Sequence, residues 1–397
     1  MSALRGQCQN APTLAGYSRN RIDSRTRPEK YAHKSQFIMR TKSNPQVTGV
    51  NRREFLCQTA VAAAGAAAGI RAVAATDPAP KPLNYNPDME YRRLGKTGLQ
   101  ISAVCLGGHW KRIDTVVSGN GGIDNPGFQK NRTEVVTRCI ERGVNYIDAC
   151  TGSEVMVYSR ALKGRRDKMY LGFSWFEEEM RNSEFRKADR LLGTLEKGMK
   201  EAGLDYVDLW RITMLEQSGE HTPGEVEEMM KALEKAKQQG KARFTGFSSH
   251  DRPHIKSLIE TYPKIVDVVV TPYTARSKVL PTDSVFEAVK KNDIGVFGIK
   301  PFASNSLFKG NSAPNSPLAE ADSRIARLAI RNILSNPAIT APIPGLINAE
   351  QVDNAAKAVR ERRQLDQTER ADLEAAGRAM WARLPGNYHW LRDFEYV

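Results

Sequence analysis

The 397 residues are 40% hydrophobic and 26% charged, the balance of a globular protein with room for one large domain or two ordinary ones. The net charge of +14 sits mostly at one end: residues 1–75 hold 12 Lys and Arg against 3 Asp and Glu, leaving 47 against 42 for the rest. That distribution argues against a nucleic-acid partner for the main body, and five cysteines with no CxxC pair or histidine-rich neighbourhood give no sign of a metal or iron–sulfur site.

Residues 1–50 are polar, basic and without periodicity, so they read as a disordered extension, and Met39 is the expected true start. Residues 51–75 run from NRREFLC through an alanine–glycine stretch to Ala72-Val73-Ala74. Paired arginines, a weakly apolar run and a small-residue cleavage site resemble a twin-arginine export signal. The resemblance implies an exported, periplasmic protein handled by the twin-arginine machinery and cleaved near Ala74 or Ala75. The run is too short and alanine-rich for an integral membrane span. Residues 76–87 read as a linker.

The body then alternates. Two extended segments flank Gly95-Lys96-Thr97-Gly98, a hairpin signal, and AVCLGGHW is a buried strand ending in glycines. Helical spacing begins at Thr133 and stops at Gly143. Residues 143–154, GVNYIDACTGSE, place Asp148 where the next apolar strand ends. A carboxylate there has little water to solvate it and needs a cation or donors; a site residue, a helix cap and a loop-ordering ion pair all satisfy that need. Cys105 and Cys139 read as small buried hydrophobes, and Cys150, near Asp148, as a core residue or a reactive thiol.

Strands from Lys168, Tyr206, Ala242, Asp267, Ile294 and Ala338 alternate with helices at about 184–202, 223–239, 253–261, 283–291, 321–334 and from Ala349. About eight strand–helix units in some 300 residues predict an α/β (β/α)8 TIM barrel over 88–362 under an N-terminal hairpin lid, with a C-terminal helix and tail at 363–397. A doubly wound open sheet is the alternative, disfavoured because no GxGxxG follows the first strand. In such a barrel chemistry sits at the strand ends: His109 and Trp110, Asp148, Ser174 and Trp175, Thr213, Ser248-Ser249-His250, Tyr273, Lys300-Pro301 and Pro344-Gly345.

Those ends and turns, read in order as YRRLGKTGLQIS, LGG, GVNYIDA, ALKGRRDK, LDYVDLW, ARFTGFS, VTPY, KP and IPG, resemble the aldo/keto reductases over about residues 88–360. The resemblance implies NADPH- or NADH-dependent reduction of a small carbonyl. A family tyrosine donates the proton, tuned by a lysine that an aspartate holds, while a histidine orients the substrate. Asp148 matches the aspartate. The loop ACTGSE has no tyrosine, Ser174 occupies the lysine position and Thr213 the histidine position. Tyr158 lies within the next helix, and His109 or His250 are candidate stand-ins, His109 also as an acid–base partner of Asp148. Trp110 and Trp175 are candidate pocket walls beside His109. On the cofactor side Ser248, Lys300, Pro301 and Gly345 match and Ser249 stands at a cofactor-binding position that is often asparagine, with a helix N-terminus from Ala349 for phosphate. Val270 replaces the usual glutamine, and Leu346 and Ile347 replace basic residues that grip a 2′-phosphate. Two functions follow from this mixture: a reductase with a non-standard site, or a barrel without turnover that serves as an exported ligand-binding or scaffold protein.

Overall fold

The computed structural model describes residues 81–118, 122–278 and 284–392. The predicted export signal and the extension before it lie outside these residues. No described helix is long and apolar enough to cross a membrane.

Strands β1 (Tyr91–Arg93) and β2 (Gln100–Ser102) form the antiparallel hairpin. Its turn needs Gly95, which takes φ +48° and leaves no room for a Cβ, since one would stand 2.3 Å from the Gly295 nitrogen. Lys96 N–H donates to Asp293 O at 2.6 Å, and Arg93 pairs with the Asp293 carboxylate. Leu94, Leu99 and Ile101 point into the cluster formed by Cys105, Tyr146, Leu209, Val268, Val270 and Phe297. The hairpin is therefore a plug in the N-terminal end of the barrel, opposite the end where strands give way to loops.

Eight parallel strands follow: β3 (Leu106–Gly107), β4 (Tyr146–Ala149), β5 (Tyr170–Phe173), β6 (Val207–Thr213), β7 (Ala242–Ser248), β8 (Val268–Pro272), β9 (Gly295–Ile299) and β10 (Ala341–Ile343). They pair in chain order, and the ring closes where Cys105 N–H donates to Pro342 O (3.1 Å) and Gly107 N–H to Pro344 O (2.8 Å). The open-sheet alternative is thereby excluded. Each strand is followed by its helix: α1 (Pro126–Glu141), α2 (Gly152–Ala161), α3 (Ala188–Ala202), α4 (Pro223–Gln238), α5 (Arg252–Thr261), α6 (Val285–Lys291), α7 (Ala319–Leu334) and α8 (Ala349–Arg360).

Helix α1 starts two turns before the predicted Thr133. Asn125 Oδ1 accepts the Gly127 N–H at 2.8 Å and Pro126 takes the first helical position, a start signal hidden in a polar stretch. The described part of the linker is pinned to the barrel: Asn84 Nδ2 donates to Val144 O at 3.4 Å and Asn86 Nδ2 to Glu141 O at 3.0 Å. Helix α9 (Gln367–Ala382) is tied to the barrel by buried Arg331 of α7, whose guanidinium meets both Glu369 oxygens at 2.9 and 3.0 Å. Beyond it, residues Gly386–Arg392 form a 3-10 turn that reaches the barrel mouth.

Candidate active site at the barrel mouth

The floor of the mouth is a buried ion pair. Asp148 is the penultimate residue of β4, and Arg211 of β6 grips it with two nitrogens, Nε to Oδ1 at 3.0 Å and Nη2 to Oδ2 at 2.5 Å; both side chains are about 95% buried. The pair reaches across β5 at Gly172, where a Cβ would lie 2.0 Å from the Tyr146 hydroxyl and 2.9 Å from Asp148 Oδ1. Burial works against the guanidinium's charge, yet the Asp148 carboxylate holds it above its ordinary range. Arg211 Nη1 donates onward to Thr213 Oγ1 at 3.0 Å, and Thr213 and Ser174 share a hydrogen bond of 2.8 Å. Ser174 in turn donates to Glu179 at 2.5 Å, and the same carboxylate accepts the Trp175 and Thr213 N–H groups. Burial pushes the Glu179 carboxyl up despite those bonds. Ser174 and Thr213 are thus structural links between two carboxylates, with no lysine or imidazole between them.

A second cluster lines one wall. His109 leaves β3 in the left-handed region at φ +52°, which for a residue other than glycine carries strain of order 1–2 kcal/mol. That turn sets its Nδ1 2.8 Å from Glu154 Oε1 and 3.6 Å from the Cys150 sulfur. Glu154 is buried, and its two oxygens accept the backbone N–H groups of His109 (2.5 Å) and Cys150 (2.8 Å). Burial opposes ionisation of Glu154, but His109 and the two N–H groups together hold its carboxyl below the usual value. The Cys150 thiol is pushed well up, first by burial and then by the Glu154 charge.

Tyr158 is no substitute donor. Its hydroxyl donates to Gly107 O at 2.6 Å and accepts from Trp110 Nε1 at 2.9 Å, with the ring fully buried. Trp110 packs edge-on against Phe128 and Tyr158, and Trp175 fills the space above Gly152 beneath the Lys197 ammonium. Both indoles were expected to wall the pocket; each instead covers helix–barrel packing, and the cleft wall is Phe176, Tyr388 and Trp390.

The cleft holds about 320 Å³ and is also lined by Lys111, Arg181, Ser248 and Lys300. Lys300, at the exit of β9, takes φ +57°, and the chain repeats left-handed turns at Ala303, Ser304 and Asn305. Its Nζ lies 5.3 Å from the Tyr388 ring centre and 5.6 Å from that of Trp390. Among the described residues it has no carboxylate partner within salt-bridge reach. Burial, reinforced by the Arg181 and Arg211 charges, pushes the ammonium down to about 8. His250 is buried and stacks on Trp390 at 4.2 Å, and burial with the Lys300 charge drives its imidazole well below its ordinary value. It therefore supports the roof as a neutral ring.

A second cleft of about 210 Å³ adjoins the first, sharing Lys111, Phe302, Asn305 and Gly345. A Cβ on residue 345, which lines both clefts, would stand 2.6 Å from Gly108 O, so only glycine lets these two backbone segments approach so closely. The outer cleft runs to the start of α8, capped by Asn348 Oδ1 accepting the Gln351 N–H at 2.9 Å. Leu346 lines it, whereas the backbone oxygens of Leu346 and Ile347 are taken by Arg132. Ser248 faces the inner cleft; Ser249 does not, its hydroxyl being 2.7 Å from that of Ser218.

The model of the Aldo/keto reductase family matches residues 119–378 of this barrel. The chain belongs to the aldo/keto reductase family. It is 26% identical over 314 residues to the L-galactose dehydrogenase of Arabidopsis thaliana, covering 72% of this chain and 94% of that one. It is 24% identical over 236 residues to the L-glyceraldehyde 3-phosphate reductase of Escherichia coli (strain K12), covering 55% and 63%. Among solved structures, an aldo-keto reductase of Klebsiella pneumoniae in complex with NADPH superposes with TM-score 0.53 at 18% identity, over 72% of this chain and 94% of that one. The aldo-keto reductase AKR11C1 of Bacillus halodurans, in its holo form, gives 0.52 at 20%, over 72% and 96%.

This aldo/keto reductase is thus an oxidoreductase of the family by fold and sequence, with a mouth whose side chains were only partly legible. Asp148, Ser248, Lys300, Pro301, Gly345 and His109 all face the inner cleft. Arg211, Glu154, Glu179, Tyr388 and Trp390 were missed. Arg211 had a signal, being a cation inside the buried strand VDLWRIT, on the same face as Leu209 and Thr213 and opposite to that of Asp208. The tail aromatics had none.

Proposed function

We propose that the barrel is a nicotinamide-dinucleotide-dependent oxidoreductase that reduces a small carbonyl, or oxidises the matching alcohol, with a rebuilt proton-donor site. The observation that carries this reading is the pair of contiguous clefts joined beneath Gly345 at the C-terminal ends of the strands, in a chain of this family. The shared lining at Lys111, Phe302, Asn305 and Gly345, and the capped start of α8 beyond it, suit an extended dinucleotide. When bound, the dinucleotide supplies or takes up a hydride at its nicotinamide carbon.

The remaining work falls to the chain. Ser248 offers a hydroxyl to the nicotinamide end of the cleft. Lys300, part-charged near neutrality and roofed by two aromatic rings, gives a proton to the carbonyl oxygen during reduction and takes one back during oxidation. The Asp148–Arg211 pair is the fixed floor: its opposite charges meet through two hydrogen bonds and hold the mouth's shape. Tyr388 and Trp390 exclude water from the reacting atoms. The outer cleft presents Asp322 and Glu350 against one basic residue, Lys111, a balance that favours NAD(H) over the additional phosphate dianion of NADP(H). Export through the twin-arginine route belongs to the same proposal, since that route accepts folded, cofactor-loaded proteins; N-terminal sequencing of a periplasmic fraction tests it.

Incubating the purified full chain with NADH and NADPH and a panel of aldehydes and ketones tests the reaction. Dinucleotide oxidation with a preference for NADH is expected. Failure of either dinucleotide to bind at millimolar concentration would reduce the protein to a ligand-binding barrel.

A further inference from the structure

We propose that His109, Cys150 and Glu154 form a zinc site on the wall of the inner cleft. His109 Nδ1, Cys150 Sγ and a Glu154 oxygen all lie within 4.8 Å of one another. Ligand bonds of about 2.0–2.3 Å at tetrahedral angles place neighbouring donor atoms roughly 3.4–3.6 Å apart. The His109 nitrogen and Cys150 sulfur already stand at 3.6 Å. The His109–Glu154 edge, 2.8 Å as a direct hydrogen bond, needs to open by little more than half an ångström. The His109 side chain, 39% exposed, has the freedom to make that move.

Two further observations point to a ligand. Glu154 is 2% exposed, and its carboxylate lies behind the cleft wall, fixed by the backbone N–H groups of His109 and Cys150, which line that wall. Such backbone donors orient a metal-binding carboxylate in the way outer partners do in known sites. His109 is also held in a left-handed backbone conformation that swings its ring onto the other two donors. One nitrogen, one sulfur and one oxygen suit zinc better than calcium or magnesium, which take oxygen donors alone. Binding would release the Cys150 thiol proton to solvent. The thiolate and carboxylate would then balance the two charges of the cation, so the filled site adds no net positive charge beside Lys300. Three protein ligands leave the fourth corner of the tetrahedron to the cleft, where His109 and Cys150 share the lining with Asp148 and Lys300. A carbonyl or alcohol oxygen can occupy that corner.

The site is testable without turnover, so its failure and that of the hydride reading are separate results. Full-length protein stripped with chelator is titrated with Co²⁺ and then competed with Zn²⁺. One equivalent of Co²⁺ should produce a sulfur-to-metal charge-transfer band that Zn²⁺ abolishes. Cys150→Ser should lose the band, and Glu154→Gln, which removes a ligand, should weaken binding by more than the about 10–100-fold that an outer partner costs. In parallel, Zn²⁺ should protect the Cys150 peptide from alkylation, with the peptides carrying the other four cysteines as internal references. This second readout needs no variant to fold. Absence of a thiolate band, or alkylation of Cys150 at the same rate with and without Zn²⁺, overturns the proposal.

Discussion

Replacing Arg211 by methionine should be among the most damaging single changes in the barrel. The guanidinium satisfies both oxygens of a carboxylate that is 5% exposed, and Gly172 leaves no neighbouring side chain that could take its place. Removing one member of a buried pair strands the other charge, at a cost of about 3–5 kcal/mol. For a domain of this size that corresponds to a fall in Tm of roughly 6–10 °C. Asp148→Leu combined with Arg211→Met removes both charges and should recover most of the loss, because two apolar groups of similar volume need no partner. Thermal melts of wild type, both single variants and the double variant at one pH give the coupling energy directly. A single Arg211→Met variant within about 1 kcal/mol of wild type, or a double variant as unstable as the sum of the singles, would show that the pair is solvated rather than buried.

Three further outcomes follow from the geometry. Carbonyl reduction needs Lys300 protonated, so its rate should fall as pH rises through about 8, the oxidation rate should rise over the same range, and Lys300→Met should cost about 10²–10⁴ in kcat/KM. Lys300→Arg, which stays charged, should flatten the alkaline limb. His221 is buried and accepts the Leu215 N–H at 3.1 Å, and burial with the Arg186 charge pushes it down to about 4. Its neutral form is favoured by folding, so that contribution is complete above about pH 6.5 and is lost as pH falls toward 4; His221→Gln should flatten Tm over that window. Gly345→Ala should both lower Tm and raise the Kd for a dinucleotide, because the new Cβ meets Gly108 O and pushes apart two backbone segments that line the inner cleft.

The barrel was legible because each strand is a short apolar run closed by a polar or glycine-containing end, and each helix carries its own stop. Asp148 was legible for the same reason, as a charge at the end of such a run. Its partner was harder to find, since Arg211 lies 63 residues away and the contact depends on Gly172 of the intervening strand having no side chain. Tyr388 and Trp390 were invisible in kind: the tail has no periodicity, and its position is set by Arg331, Glu369 and Leu391. Trp110 and Trp175 misled because an indole at a strand exit serves equally as pocket wall or as helix packing. Contacts decided for packing in both: Trp110 meets Phe128 and Tyr158, and Trp175 covers Gly152.

Hydride transfer itself is the claim on which the functional reading stands. The most direct measurement incubates the purified full chain with NADH deuterated at the nicotinamide C4 and a reactive aldehyde or ketone, then reads the alcohol by mass spectrometry. Transfer of one deuterium to the carbonyl carbon, lost in the Lys300→Met variant at neutral pH, is the required result. A dinucleotide that binds yet leaves every carbonyl undeuterated would contradict it.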